Sequence, residues 1–229
     1  MRLRGMTVAL LAIAATVAVA QNPQMEEKLM AIKQNMAKNK QQLTTYTWTQ
    51  TETISLKGEV KDTRTYQVSD AGGQQQKTEI NDEKASSGGG REGRLKKHVI
   101  AKKTDEYKEY GQQIGQLVKQ YTVPDPERLM QAKQQGNLSL VPGNGTTSLV
   151  IKSFVKPNDQ VTFVISDQSK APVSIQVNSY LNDPGDVVTV GAQFAQLPDG
   201  TNHVTSATIN GVQKHLTIQD QNSNYQKVM

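Results

Sequence analysis

The sequence contains no cysteine among its 229 residues. This absence excludes a disulfide framework, a thiolate metal site, a cysteine nucleophile and a lipid-modified cysteine. Histidine is scarce as well, and His98, His203 and His215 are far apart in the chain. None of them has a histidine or glutamate four residues away, the spacing that a zinc-binding helix needs. We therefore expect no metal site and no metal cofactor.

Sequence motifs of common enzyme classes are also missing. The glycine-rich stretch GGGREGR lacks the preceding strand and the Lys-Ser/Thr pair of a phosphate-binding loop, and no G-x-S-x-G sequence is present. Neither motif therefore indicates catalysis or a bound nucleotide cofactor. We predict no catalytic residues and expect that the protein is not an enzyme.

The first twenty residues have the pattern of an export signal. Arg2 and Arg4 precede an uncharged apolar run that stops at Ala18-Val19-Ala20, a small-x-small site. This pattern predicts a signal peptide over residues 1–20. A membrane-spanning helix is the alternative, since such a helix needs about 20 apolar residues. Without this segment, 26 − 2 = 24 basic residues face 21 acidic ones, a formal charge of +3. We expect a periplasmic or secreted protein without a nucleic-acid partner.

Helical and then alternating patterns follow the predicted signal peptide. Asn22 and Pro23 are typical of a helix start, and apolar residues at spacings of three, four and seven predict an amphipathic helix to about Gln42. The stretches YTWTQTETISL and EVKDTRTYQVSD alternate and predict two strands, with a third short strand near QKTEI. Residues 81–92, which include NDEKASSGGG, have few apolar side chains and predict a flexible loop.

Residues 93–136 are predicted to form a helical insert. Tyrosines and aliphatic residues form one helical stripe through REGRLKKHVIAKKTDEYKEYGQQIGQLVKQY, which predicts one long helix or two helices with a break near Thr104. A short helix begins at Asp125-Pro126 and ends at Gly136. Short β-branched runs then alternate with turn sequences such as NDPGD and NG, which predicts an antiparallel meander of about six strands.

This order of a helix, strands, helices and a long meander resembles that of the LolA/LolB superfamily of periplasmic lipoprotein carriers. The opening MEEKLMAIKQNMAKNKQQLTTYTWTQTETISLKGEV contains the helix and the aromatic-bearing strand of that arrangement. The resemblance implies one α+β domain over residues 21–229. Its fold would be a curved antiparallel β half-barrel whose concave face is covered by the N-terminal and central helices and receives acyl chains. Parts of the sequence, such as TYTWTQTETISLKGEVKDTRTYQV, also resemble an uncharacterised family of secreted bacterial proteins.

Apolar side chains on one face of the first strand are the main candidates for contact with a ligand. Alternate residues of a strand point to opposite faces, so Tyr46, Trp48, Ile54 and Leu56 share a face. These side chains either pack under the helices as a core or contact a lipid or lipoprotein acyl chain. The alternatives to such a carrier are a structural or interaction module with a filled core and, third, a hydrolytic enzyme. The candidate ligand-binding residues are Tyr46, Trp48, Ile54, Leu56, Tyr66, Tyr107, Tyr110, Phe163 and Phe194.

Charged residues in two places have two interpretations each. Arg94, Lys96 and Lys97 either form a solvated helix face or contact an anionic membrane surface. Glu52 shares the face of Trp48, where its burial would require a partner such as Arg64 on the next strand. A structural ion pair is the preferred interpretation of Glu52, and a catalytic acid is the other.

Overall fold

The computed structural model describes residues 23–71, 74–83, 94–122 and 126–228. Within these ranges, the side chains of 23–29, 32–33, 36, 71, 74, 81–83, 94–104, 122 and 126–127 are not described. The elements in chain order are α1 (Pro23–Leu43), β1 (Tyr46–Leu56), β2 (Glu59–Ala71), β3 (Gln74–Glu83), α2 (Arg94–Thr122), α3 (Pro126–Gln134), β4 (Leu138–Pro142), β5 (Thr146–Lys152), β6 (Gln160–Ser166), β7 (Pro172–Tyr180), β8 (Val187–Gln196), β9 (Asn202–Gly211) and β10 (Leu216–Lys227).

The ten strands form one antiparallel sheet in the order β3-β2-β1-β10-β9-β8-β7-β6-β5-β4. Strands that are consecutive in the chain pair with each other, except β3 and β4, and β1 also pairs with the last strand, β10. The sheet does not close, because β3 and β4 form its two edges. The predicted α+β fold with an antiparallel half-barrel sheet is confirmed.

The long helix α2 packs on one face of the sheet, which we call the covered face. Tyr110, Ile114, Leu117 and Tyr121 recur at spacings of three and four, so they lie on one side of the helix, and all four are buried. They join a core with apolar side chains of β4 to β8 and of β10. The helix is continuous, so the alternative of a break near Thr104 is not realised.

The helices α1 and α2 lie at opposite ends of the strands. The strand β6 begins beside Asp159, whose carboxylate accepts a hydrogen bond from Tyr121 of α2 at 2.5 Å. It ends near Ser169, whose carbonyl accepts a hydrogen bond from Asn35 of α1. Asn39 of α1 also pairs with the backbone of Asn202, donating to its carbonyl and accepting from its N–H. The middle of β6 therefore lies between the two helices.

Several element bounds differ from those predicted. The strand β3 continues through Glu83, three residues into the segment predicted as a flexible loop. The meander has seven strands instead of six, because β4 precedes the first predicted run. The predicted signal peptide and the remainder of the loop, residues 84–92, lie outside the described residues. Within the described ranges, no helix is long and apolar enough to cross a membrane.

Candidate functional site

One row of side chains crosses the covered face from β2 to β4 and changes character along its length. Directly opposed residues of antiparallel strands point to the same face, so the pairing register defines the row. The row is charged on β2, β1 and β10, small on β9 and β8, and apolar on the remaining strands. Its members are Arg64, Glu52, Asp220, Ala207, Ala192, Ile175, Phe163, Leu149 and Leu140.

The charged end of this row belongs to a polar patch on three adjacent strands. Glu52 of β1 lies opposite both Arg64 of β2 and Asp220 of β10. Two residues nearer the start of β1, Gln50 lies opposite Tyr66 and Asn222. A polar patch in this position is unusual because the same face carries the apolar core. We call the six residues Gln50, Glu52, Arg64, Tyr66, Asp220 and Asn222 the polar belt.

The two carboxylates of the polar belt affect each other. Burial raises the pKa of Glu52, and the negative charge of Asp220 raises it further, while Lys77 and Arg64 act in the opposite direction. The Arg64 guanidinium forms its ion pair with Asp62, with Nη2 and Oδ2 at 2.7 Å. Glu52 and Arg64 are opposite each other, but Arg64 pairs with Asp62. The predicted ion pair between Glu52 and Arg64 is therefore wrong. Asp62 is two residues from Arg64 on the same strand, so the two side chains share a face and form the pair.

Three atoms of the polar belt are buried without a hydrogen-bond partner in the described part of the chain. They are Arg64 Nε, Asp220 Oδ1 and Asn222 Oδ1. The amide nitrogen of Asn222 is engaged, because it donates to the carbonyl of Val204 at 3.0 Å. A buried polar group without a partner costs about 1–3 kcal/mol, and native proteins contain few of them. Their concentration in one patch indicates a place where water or a polar ligand binds.

Apolar side chains beside the polar belt are only partly covered. Ile54, Ile218, Ile209 and Val190 form the next row toward α2, and all four are half-buried. In the same row on β7, Val177 is 4% exposed, so coverage by α2 is complete on that side of the sheet. The covered face thus retains partly accessible apolar surface over β1, β10, β9 and β8.

An aromatic stack lies on the other side of the polar belt. Trp48, the single tryptophan of the chain, stacks on Tyr225 with ring centroids 5.3 Å apart and is 2% exposed. Asn224 has a φ of 54° in a bulge that shifts the register of β10 against β1. The extra residue turns Tyr225 instead of Asn224 toward Trp48. Tyr46 is also buried, and its hydroxyl donates to Asp199 at 2.7 Å.

The remaining candidate residues on the strands share the covered face but do not form one pocket. Ile54 and Leu56 pack against the core at the α2 end, and Tyr66 lies in the polar belt. Phe163 is half-buried in the central row, and Phe194 lies opposite Val204 on β9. They extend from β2 to β6, so a ligand in contact with all of them would lie across the strands. Their role in binding stays a prediction.

The two candidate tyrosines of α2 have different surroundings. Tyr110 is 4% exposed and donates to Asp186 at 2.7 Å, and burial followed by this carboxylate raises its pKa. The Lys214 ammonium lies 5.2 Å from the ring of Tyr110 and 5.8 Å from that of Tyr107. Tyr107 lines an open cleft of about 380 Å³. The other residues of this cleft are Lys57, Glu106, Gln213, Lys214 and His215.

The basic residues at the start of α2 have described backbone positions only. Arg94, Lys96 and Lys97 lie in the first turn of the helix, and their side chains are outside the described part of the chain. Contact with an anionic membrane stays a prediction.

Similarity to known proteins is confined to solved structures, since no family model and no curated protein matches the chain. A DUF1329 family protein from Desulfovibrio piger has 7% identity and a TM-score of 0.42, covering 88% of this chain and 92% of that chain. A domain from Vibrio parahaemolyticus named for outer membrane lipoprotein sorting has 8% identity and a TM-score of 0.42, with the same coverage. A LolA superfamily protein from Nitrosomonas europaea has 9% identity and a TM-score of 0.39, covering 86% and 93%. These likenesses concern the fold alone.

Sequence reasoning missed Asp220 and Asn222, which lie on the last strand. The alternation in LTIQDQNSNY places them on one face with Ile218, a signal that the sequence does contain. What the sequence does not contain is the pairing partner of that strand. Only the register of β1 with β10 brings Asp220 against Glu52.

Proposed function

We propose that the chain is an exported, non-catalytic envelope protein that binds a lipid or lipoprotein acyl chain on the covered face of its sheet. The sequence resemblance to the LolA/LolB carriers supports this class of protein. The single observation that carries the proposal is the incomplete burial of Ile54, Ile218, Ile209 and Val190, in the middle of the covered face.

The energetics of acyl-chain burial favour this surface. Each methylene transferred from water contributes about 0.8 kcal/mol, so about ten methylenes contribute about 8 kcal/mol, the range of micromolar binding. Between the polar belt and the apolar end of the row lie two small side chains, Ala207, which is half-buried, and Ala192, which is 8% exposed. An acyl chain along this row would cover apolar surface, and its polar end would reach the polar belt.

Native mass spectrometry of protein purified from a host with membranes tests the proposal. We expect adducts with the mass of a lipid, and release of that lipid at higher collision energy. The variant Ala207→Leu should reduce the adduct at least severalfold, because its larger side chain occupies the space between Asp220 and Ala192. The matched control is Ala195→Leu, on β8 at a position that points to the other face.

A filled-core interaction module is the second candidate function. It is favoured by the full burial of Ile114 on α2 and of Ile151 and Val161 beneath this helix, each 0% exposed. Uniformly empty protein, together with no change in thermal stability on adding lipid, would support this module and contradict the carrier. Equal lipid adducts in Ala207→Leu and Ala195→Leu would instead place the lipid elsewhere on the protein.

A further inference from the structure

The acceptors of the polar belt point to the chemistry of the ligand's polar end. Asp220 Oδ1 and Asn222 Oδ1 are both hydrogen-bond acceptors, and both are buried without a partner among the described residues. They are two residues apart on β10, so their side chains share a face. The Glu52 carboxylate is opposite Asp220 on β1. Acceptors from two adjacent strands are therefore neighbours on the covered face.

The charge balance at this position favours a cation. Glu52 and Asp220 bring two carboxylates together, and like charges directly opposite each other on paired strands are destabilising. Arg64, the nearest basic residue in the row, has its guanidinium paired with Asp62. Lys77 of β3 lies over the ring of Tyr66, 5.6 Å from its centroid, one strand farther out. A bound cation between Glu52 and Asp220 would remove the repulsion.

We infer that the polar belt binds a protonated primary amine, held by Glu52, Asp220 and Asn222, at the end of an apolar chain that lies over Ile218 and Ile209. This inference rests on the proposed function and specifies its ligand class. An ammonium group has three N–H donors, which matches one acceptor from each of the three residues. A carboxylate or phosphate in the same position would face two like charges.

Arg64 adds a second requirement for the ligand, a hydrogen-bond acceptor near the amine. Its Nε, which has no hydrogen-bond partner among the described side chains, is a donor, and an ammonium group does not satisfy it. A carbonyl oxygen next to the amine would accept this hydrogen bond. The ligand class is therefore an amphiphile with an amine and a neighbouring carbonyl group.

Amphiphiles with one chain length and different polar ends test the inference. Dodecylamine, dodecanol and dodecanoate are titrated below their micelle concentrations at neutral pH, with the fluorescence of Trp48 as the signal. Trp48 is the single tryptophan and lies on the face of the polar belt. Because only the ammonium group can donate charge-assisted hydrogen bonds to Glu52 and Asp220, whereas a carboxylate is repelled by them, we expect dodecylamine to bind at least about tenfold more tightly than dodecanoate.

The double variant Glu52→Gln/Asp220→Asn separates the polar belt from the apolar surface. It should lose the preference for dodecylamine and retain binding of dodecanol. Glu79→Gln is the matched control for the single variant Asp220→Asn, because Glu79 is exposed on β3 opposite Tyr66 and each of these two substitutions removes one negative charge. Circular dichroism verifies folding, and the single variant Asp220→Asn replaces the double variant if that protein does not fold.

Each outcome distinguishes the inference from the proposed function. Binding of none of the three amphiphiles overturns the proposed function. Binding of dodecanoate as tightly as dodecylamine, or a preference for the amine that survives the double variant, overturns the amine site and leaves the carrier function standing. If Glu79→Gln also lost the preference for dodecylamine, that preference would depend on net charge alone. This result too would overturn the amine site.

Discussion

Glu52 is destabilising in its ionised form. Burial and Asp220 raise its pKa, so the folded chain binds this proton more tightly than the unfolded chain. The free energy of unfolding therefore decreases as the pH rises from the pKa of Glu52 in the unfolded chain, about 4.3, through its raised pKa in the folded chain. We predict that Glu52→Gln increases the free energy of unfolding at about pH 7, with little change at about pH 3, where the carboxyl is protonated in both states. Urea denaturation at both pH values measures the difference.

An equal effect of Glu52→Gln at the two pH values would contradict this electrostatic origin, because a simple packing change does not titrate. Asp220→Asn should act in the same direction at neutral pH, since it removes the charge that faces Glu52. Because the two variants remove the same repulsion, their effects should be less than additive when combined.

At the scale of elements, the distance between α2 and β9 depends on a glycine. A Cβ at Gly211 would lie 2.6 Å from both Ile114 Cδ1 and Tyr110 Cε1. Because both neighbours are buried in the core, we predict that Gly211→Ala destabilises the protein by about 1–3 kcal/mol. Chemical denaturation measures this loss.

Gly115→Ala is the matched control for that substitution. Gly115 is on α2, and a Cβ there would meet nothing within 4 Å. Alanine in a helix interior is favoured over glycine by about 1 kcal/mol, so this variant should be as stable as the parent or more stable. If Gly211→Ala were also neutral, α2 would not be in close contact with β9.

Patterns within one element were predictable, and irregularities between elements were not. The alternation of Tyr46–Leu56 and the stripe of α2 follow from local spacing, so the sequence predicted both correctly. The strand β4 is short, ends at Pro142 and is largely exposed at a sheet edge, so its five residues lack a clear alternating pattern. The bulge at Asn224 has no local signature, yet it decides which residue faces Trp48.

At the scale of the whole molecule, the polar belt depends on contacts between the two ends of the described chain. Glu52 and Asp220 are far apart in sequence, and nothing local in either strand specifies their pairing. The resemblance to a half-barrel predicted the order of elements correctly, but it supplied no register. Fold class was therefore accessible from the sequence, whereas the composition of the belt required the pairing of β1 with β10.

The uneven coverage of the sheet predicts uneven stability. Ile151, Val161 and Val188 are at most 1% exposed under α2, whereas the side chains of residues 75–80 on β3 are all exposed. Since local opening is easiest where few apolar contacts are buried, amides of β3 should exchange hydrogen at least about tenfold faster than those of β5 and β6. Hydrogen exchange followed by mass spectrometry measures these rates.

The same measurement with dodecylamine locates the ligand within the whole sheet. A ligand that binds only the folded state slows the opening of the strands that it bridges. We therefore expect added protection in β1 and β10, which carry Glu52, Asp220 and Asn222, and little change in β5 and β6, which already exchange slowly. Protection confined to β5 and β6 would place the ligand beneath α2, in the part of the sheet where Ile151 and Val161 leave no accessible surface. That result would contradict binding at the polar belt.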